Sequence, residues 1–238
     1  MAQAMIFAAG LGTRLKPLTD TMPKALVRVG GEPLLHHVVM NLRAAGFDRI
    51  VVNVHHFARQ IVDYLAANNN FGIDIRISDE SDALLDTGGG IRKAAPLFNP
   101  DEPILIHNVD IMSNVNLAKF YASAKEHDAT LLVSDRQTSR YLTFTDQMRL
   151  SGWINTKTGE TKGPKPTETR YAFSGIHVFS PRLFPLMEGF GDKFGIIDFY
   201  LKACATADIH GCVKPDLRLL DVGKPDTLRE AETFVKQQ

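Results

Sequence analysis

Cysteine is scarce in this chain: only Cys204 and Cys212 occur, and no histidine spacing accompanies them that would complete a zinc set. Two such thiols argue against a disulfide framework and are expected to be reduced, which makes the cytoplasm the expected address. A surplus of charge is also lacking. Lys plus Arg and Asp plus Glu number 27 each, so the formal net charge is +0, and no block of like charges stands out. Proteins that bind nucleic acid through counterion release usually carry a basic surplus, so nucleic acid is not an expected partner. Long apolar runs are missing too. The stretch Met1 to Phe7 has no basic flank and its apolar run breaks at Gly10, too short for a secretory segment or a bilayer span. No membrane partner is expected. Any anion must be gripped locally, by a few placed groups.

What is present is an alternation of short apolar runs with amphipathic stretches. Ala4 to Ala9, Ile50 to Val54, Ile73 to Ile77, Pro103 to His107 and Ala129 to Ser134 read as strands. Between them, Pro33 to Ala45, Phe57 to Ala67, Gly90 to Phe98 and Asn116 to Glu126 read as helices. The first has Leu34, Val38, Leu42 and Ala45 on one face and Gly46 as its stop. Alternation at this spacing predicts a Rossmann-like α/β core, a mostly parallel sheet with helices on both faces. After Ser134 the pattern changes. Tyr141 to Thr145, Met148 to Ile154 and Arg170 to Phe179 read as strands with no long helix between them, and residues 155–169 form a loop rich in Thr, Lys, Gly and Pro. Helices return at Pro181 to Glu188, Ile196 to Ala207 and Pro225 to Val235. The expectation is a single domain, 1–238, with a core of 1–134 and 180–238 and a small antiparallel insertion at about 135–179.

The first strand runs into Ala8-Ala9-Gly10-Leu11-Gly12-Thr13-Arg14-Leu15-Lys16-Pro17, followed by Pro23-Lys24-Ala25-Leu26. Ligands of open α/β sheets sit beyond the carboxyl ends of strands, which is where this loop falls. Gly10 and Gly12 lack Cβ, so backbone N–H groups there can approach an anion closely. Arg14 adds a planar fork of donors and Lys24 a compact point charge. A dinucleotide fingerprint would need a third glycine where Leu15 stands, and a Walker loop would need Gly-Lys-Ser/Thr after the second glycine. Neither is present. A bare Gly-x-Gly is an ordinary turn; with Thr13, Arg14, Pro17, Pro23 and Lys24 it reads as a polyphosphate grip.

This loop resembles the signature of the sugar-1-phosphate nucleotidylyltransferases. Leu85-Asp86-Thr87-Gly88-Gly89-Gly90-Ile91, Phe173-Ser174-Gly175-Ile176 and Leu220-Asp221-Val222-Gly223 are similar to further segments of that family, in order along nearly the whole chain. Within it, the resemblance is to the N-acetylmuramate-1-phosphate uridylyltransferases and to the mannose- and heptose-1-phosphate guanylyltransferases. It implies an enzyme joining an NTP to an α-sugar-1-phosphate, with UTP favoured and GTP open, and with N-acetylmuramate-1-phosphate among the acceptors. It implies nucleotide binding by Ala8, Ala9, Gly10, Gly12, Thr13, Arg14, Lys24 and Gly88, with Asp79-Glu80 near the base. Arg14, Lys24 and Asp110 become the catalytic candidates.

Asp110 follows the apolar run Ile104-Leu105-Ile106, and Asp221 follows Arg218-Leu219-Leu220, so both carboxylates are expected at strand ends. The chemistry calls for Mg²⁺, and the resemblance assigns it to these two residues. The family's Asn-Gly-Asp is Asn108-Val109-Asp110 here, which is expected to narrow the site. For the sugar the resemblance points to the antiparallel extension, with Gly152, Asn155 and Gly175 as candidates and Lys162 and Lys165 for its phosphate. A monomer or loose homodimer is expected from the shorter members of the family.

No Ser/His/Asp or Cys/His arrangement appears, and none is needed, because a sugar phosphate oxygen is already ionised and requires no general base. The neighbouring pairs His36-His37 and His55-His56 point apart and are expected in core or surface roles. Three other readings remain open. One is a cytidylyltransferase acting on a choline or polyol phosphate. Another is a GT-A-like glycosyltransferase, for which Asn108-x-Asp110 lacks the first acid of Asp-x-Asp. The last is a nucleotide-sensing pseudoenzyme.

Overall fold

The structure is a computed structural model, and it describes residues 1–236. The chain begins with β1 (Ala2–Phe7), passes three short 3₁₀ turns and the small hairpin β2 (Arg28–Val29) and β3 (Glu32–Pro33), and enters α1 (Leu34–Ala44). There follow β4 (Phe47–Val54), α2 (Ala58–Ala67), β5 (Asp74–Asp79), α3 (Asp86–Ala94), β6 (Ile104–Asn108), β7 (Ile111–Ser113) and α4 (Leu117–Ser123). Then come β8 (Ala129–Ser134), β9 (Arg140–Phe144), β10 (Leu150–Asn155), β11 (Thr161–Lys162) and β12 (Arg170–Phe179). The chain closes with α5 (Ile196–Ala203), β13 (Ile209–Val213), β14 (Leu219–Asp221) and α6 (Pro225–Val235).

Ten strands share one sheet, in the order β11-β10-β9-β12-β6-β1-β4-β5, with β8 and β13 branching from β12. β6, β1, β4 and β5 pair in parallel, as the βαβ alternation demands. Alternate side chains of β1 enter opposite cores. Ala4 and Ile6 join α1, α2, α4 and α6, whereas Met5 joins α3, α5 and the apolar residues near Leu183. Helices therefore cover both faces, which removes about 25 cal/mol of unfavourable hydration for each Å² of apolar surface buried.

β12 is antiparallel to its neighbours and forks the sheet. Its C-terminal half pairs with β6 and β8, and Arg170 and Tyr171 at its start pair with β9. The ladder breaks at Ser174-Gly175, where Gly175 has φ +77°. Two local expectations change. The segment at Pro181 is a 3₁₀ helix, Pro181–Met187, because Pro185 has no N–H for an α-helical bond. The helix expected from Gly90 begins at Asp86, with all three glycines inside it. Among the described residues no helix is long and apolar enough to cross a membrane.

Candidate active site

The carboxyl ends of β1, β4 and β6 open into a cavity of about 390 Å³ lined by Ala8, Ala9, Gly10, Lys24, Asn108 and Asp110, among others. Its shape is held by side chain to backbone bonds. Asn53, the one polar residue at the end of the apolar run of β4, accepts from the N–H groups of Ala8 (2.8 Å) and Ala9 (3.3 Å). Its amide nitrogen donates to Glu80 Oε1 at 2.7 Å. Gly12, at φ +64°, accepts from the Thr19 hydroxyl at 2.8 Å; a Cβ there would lie 2.8 Å from Thr19 and 3.1 Å from Lys24. Gly12 therefore brings Lys24 up against the loop. Thr13 and Arg14 continue into a 3₁₀ turn, and Thr13 is not part of the cavity wall.

Lys24 donates to Asp110, and this ion pair is mostly buried, the side chains being 11% and 18% exposed. Val109 is 4% exposed and packs in the core beneath it, its N–H donating to Phe7 at 3.2 Å. Asp221 is drawn to the same place by a ladder that sequence reading did not foresee. β14 pairs with β7 so that Asp221 lies opposite Ile111, and Val222 donates its N–H to the Asp110 carbonyl at 2.8 Å. Arg14 faces Asp221 at 3.8 Å. A Cβ on Gly223 would sit 2.5 Å from the Arg14 guanidinium and 2.6 Å from Asp221, so only glycine admits this approach. Each acid thus has a basic partner, and the backbone carrying Asp221 runs alongside that carrying Asp110, with Asp110 in the wall of the first cavity and Asp221 in that of the second.

The glycine run serves packing. Gly88 donates its N–H to the Phe194 carbonyl at 2.8 Å, and a Cβ on it would lie 2.4 Å from the Phe194 ring. A Cβ on Gly89 would lie 2.2 Å from the Asp192 carbonyl, and one on Gly90 2.8 Å from Glu80. Gly88 is therefore covered by the segment before α5, and the residues of α3 that face the cavity are Asp86 and Thr87. Helical glycine costs about 1 kcal/mol each; here it permits three close approaches. Glu80 is fully buried, and also accepts from Leu85 N at 3.2 Å. Its neighbour Asp79 is held below the usual carboxylate range by the Ser81 hydroxyl and N–H. Lys193 enters the wall from the segment before α5, unforeseen because no local pattern marks it.

A second cavity, about 830 Å³, is lined by Arg14, Asn155, Lys162 and Asp221, together with the extension strands and α5. Lys162 lies 5.4 Å from the Trp153 ring centroid and 3.4 Å from Asp198. Asn155 accepts from Lys157 N at 3.0 Å. Gly152 packs against the Lys162 carbonyl and Pro166, and Lys165 donates its backbone N–H to Ser151 at 3.0 Å; neither lines the cavity. Gly175 sits against the side chain of Asn108, where a Cβ would be 2.7 Å from its amide nitrogen. It belongs between the two cavities and lines neither.

One trio of His and carboxylate side chains comes within metal-ligating range among the described residues: His127, Asp208 and His210. It lies at the N-terminal ends of β8 and β13, opposite the cavities. The two imidazoles stack at 3.9 Å with planes within 9° of each other. A metal lies in the plane of the ring that binds it, so no one ion lies in both planes. Arg149, 3.2 Å from Asp208, supplies the positive charge instead.

With this geometry in place, comparison with known proteins is direct. A relative from Caulobacter vibrioides, an N-acetylmuramate alpha-1-phosphate uridylyltransferase, is 31% identical over 239 residues, covering 96% of this chain and 95% of its own. A D-glycero-alpha-D-manno-heptose 1-phosphate guanylyltransferase from Aneurinibacillus thermoaerophilus is 27% identical over 236 residues, covering 97% and 96%. The crystal structure of HddC from Yersinia pseudotuberculosis complexed with GMP-PN has the same fold, with a TM-score of 0.77 at 22% identity over 99% of this chain and 100% of that one. The sequence matches the Nucleotidyl transferase family over residues 3–238, and the chain belongs to that family.

Proposed function

We propose that this chain transfers a nucleoside monophosphate from an NTP, with UTP favoured, to an α-sugar-1-phosphate such as N-acetylmuramate-1-phosphate. One observation carries the reading: the mostly buried Lys24–Asp110 pair at the mouth of a glycine loop, with a second carboxylate, Asp221, on the strand that pairs next to it. UTP and this acceptor are favoured by the likeness to the uridylyltransferase from Caulobacter vibrioides over nearly its full length. The guanylyltransferase relative supports GTP with a mannose- or heptose-type acceptor as the second reading.

In the reaction an oxygen of the sugar phosphate attacks the α-phosphorus. One P–O bond forms to the sugar phosphate, the bond to the β-phosphate oxygen breaks, and pyrophosphate leaves carrying the electron pair. No proton has to move. The protein's part is alignment and charge neutralisation. The N–H groups of Ala8 and Ala9 are tied to Asn53, so those of the loop from Gly10 to Gly12 face the triphosphate, Lys24 holds the α-phosphate, and Arg14, from the wall of the second cavity, the β- and γ-phosphates. Asn155 and Lys162 hold the acceptor in the second cavity.

Asp110 and Asp221 suit Mg²⁺: both are hard oxygen donors, on stretches of backbone that the β7–β14 ladder makes neighbours. When bound there, the ion neutralises developing charge on the transferred phosphate. Lys24 and Arg14 neutralise the two acids in this structure, and with a divalent cation on those carboxylates both bases would be free to hold phosphate.

The test is a matrix of five NTPs against six sugar-1-phosphates, scored by pyrophosphate release with Mg²⁺ and with EDTA. The expected result is release that requires an NTP, a phosphorylated acceptor and the cation together. Release without acceptor, or none in any well, overturns the reading.

A further inference from the structure

Lys193 enters the wall of the first cavity from residues 188–195, a segment that is neither helix nor strand. Such a segment is ordinarily loose at a protein surface. This one is pinned on both sides of Lys193. Before it, the Arg92 guanidinium of α3 donates to the carbonyls of Met187 (3.1 Å), Phe190 (2.9 Å) and Gly191 (2.9 Å), and pairs with the Asp192 carboxylate at 3.3 Å. After it, Phe194 donates its N–H to the Leu85 carbonyl at 3.2 Å and accepts from the N–H groups of Gly88 (2.8 Å) and Gly89 (3.2 Å). Ile196 donates its N–H to the Thr87 hydroxyl at 2.9 Å. The Arg92 guanidinium also lies 5.2 Å from the centroid of Phe194, whose ring stacks on Phe190 at 4.6 Å.

Fixing a loop costs conformational entropy, and the side chain that is pre-ordered in return is the one between the pins. Among the described residues Lys193 makes no ion pair. The acids nearest in the fold are engaged elsewhere: Glu80 accepts from Asn53 and Leu85, and Asp86 from the N–H of Thr87 at 2.7 Å. Lys24, by contrast, shares its charge with Asp110. Lys193 is thus an exposed ammonium on fixed backbone, in the wall of a cavity that has to take a polyanion. Its segment runs on into α5, where Ile197 and Asp198 line the second cavity, so Lys193 comes from the stretch of chain that joins the two walls.

We propose that Lys193 is a catalytic residue that holds a phosphate at the reacting centre, and that Arg92 is the positioning residue that sets it there. This rests on the nucleotidyl transfer reading above. Two phosphates meet at that centre, the α-phosphate of the NTP and the 1-phosphate of the acceptor, and both offer the same oxyanion to an ammonium. Negative charge gathers between them during transfer, and a cation fixed in advance stabilises it without rearranging. The glycine run of α3 then has a use beyond packing, since it admits the segment closely enough for Phe194 to accept from Gly88 and Gly89.

The experiment takes the NTP and acceptor that turn over best in the matrix above. Pyrophosphate release is measured for the wild type, Lys193→Ala, Arg92→Lys and the double variant, with each substrate varied in turn. NTP binding without acceptor is measured by calorimetry, and thermal unfolding checks the fold. Lys193→Ala should lower kcat/KM roughly ten- to a hundredfold, as expected for loss of a charge-assisted hydrogen bond. Weaker NTP binding assigns the ammonium to the α-phosphate; a raised KM for the acceptor with NTP binding intact assigns it to the 1-phosphate. Arg92→Lys should lower kcat/KM in the wild-type background and have little further effect in the Lys193→Ala background, because it acts through Lys193. A Lys193→Ala protein that binds and turns over as the wild type does overturns the proposal while leaving nucleotidyl transfer standing. Losses that add in the double variant overturn the positioning role of Arg92. No release from the wild type with any pair overturns both readings.

Discussion

The two cavities are built by different means. The wall around Lys24 and Asp110 comes from the ends of the parallel strands, its polar groups are tied by Asn53 and Glu80, and its ion pair is mostly buried. The wall around Arg14 and Lys162 comes from the antiparallel extension, and its charges stand half in water: Arg14 is 54% exposed, Asp221 48% and Lys162 46%. Charge held in a dry, pre-ordered frame acts on phosphate far more strongly than charge screened by water. The first cavity, with Arg14 and Asp221 at the near end of the second, is suited to chemistry that does not vary, and the extension side of the second, around Asn155 and Lys162, to a recognition surface that can change with the acceptor.

The comparison is broken most directly by removing one charge from each side. Lys24→Ala or Asp110→Asn should lower kcat/KM on the order of 10²-fold or more, because each strips charge stabilisation from the reacting phosphate. Lys162→Ala should cost about tenfold or less and chiefly through KM for the acceptor, since its ammonium is exposed and shared with Asp198 and Glu160. Steady-state kinetics with each substrate varied in turn reads both. Equal losses on the two sides would mean that burial does not divide chemistry from recognition here.

A smaller effect separates the frame from the opening. A Cβ on Gly90 meets Glu80 at 2.8 Å and Asn53 at 3.3 Å, whereas one on Gly10 meets nothing within 4 Å. Gly90→Ala should destabilise by about 1–3 kcal/mol and disturb the bonds that Asn53 makes to Ala8 and Ala9. Gly10→Ala should change stability by less than about 0.5 kcal/mol yet raise KM for the NTP, because its methyl group enters the space a phosphate needs. Denaturant unfolding and NTP titration distinguish them. A Gly10→Ala protein that unfolds early yet binds NTP normally would reverse the assignment of frame and opening.

The legible part of this fold follows the same division. Parallel strands and their loops announce themselves locally, through apolar runs ending in Gly10, Asn108 and Asp110, so the frame and most of its mouth could be read from the chain. β13, the β7–β14 ladder and the fork in β12 depend on pairings between distant residues, and short runs such as Ile209–Val213 carry too little periodicity to declare themselves. By pattern alone the helix starts only at Gly90, leaving Gly88 and Gly89 outside it, because what holds these glycines in a helix is packing against Phe194, Asp192 and Glu80, over a hundred residues away in two of the three cases. Asn53 left a signal, a lone amide in a buried strand; Lys193, in the wall of the first cavity, left none beyond ordinary loop charge.

The smallest effect concerns the ground under each cavity. His107 precedes Asn108 at the donor side, and His177 sits between Phe173 and Tyr200 beneath the acceptor wall. Burial pushes their imidazoles down to about 4 and about 3, from 6.5. Both are neutral when folded near pH 7. Below pH 6.5 the unfolded chain binds protons that the folded chain refuses, so stability falls as the pH drops towards those lowered values. Each histidine contributes a slope of about 1.4 kcal/mol per pH unit, or about 2 kcal/mol by pH 5. His107 retains one partner, its Nδ1 lying 2.8 Å from the Asn108 carbonyl, whereas both ring nitrogens of His177 are buried without any. His177→Phe should therefore remove that residue's share of the loss, about 2 kcal/mol by pH 5, with little change at pH 7.5, measured by denaturant unfolding across that range. An unchanged slope would show that His177 takes up its proton in the folded protein as readily as in the unfolded chain, and that the acceptor wall is wetter at depth than its packing implies.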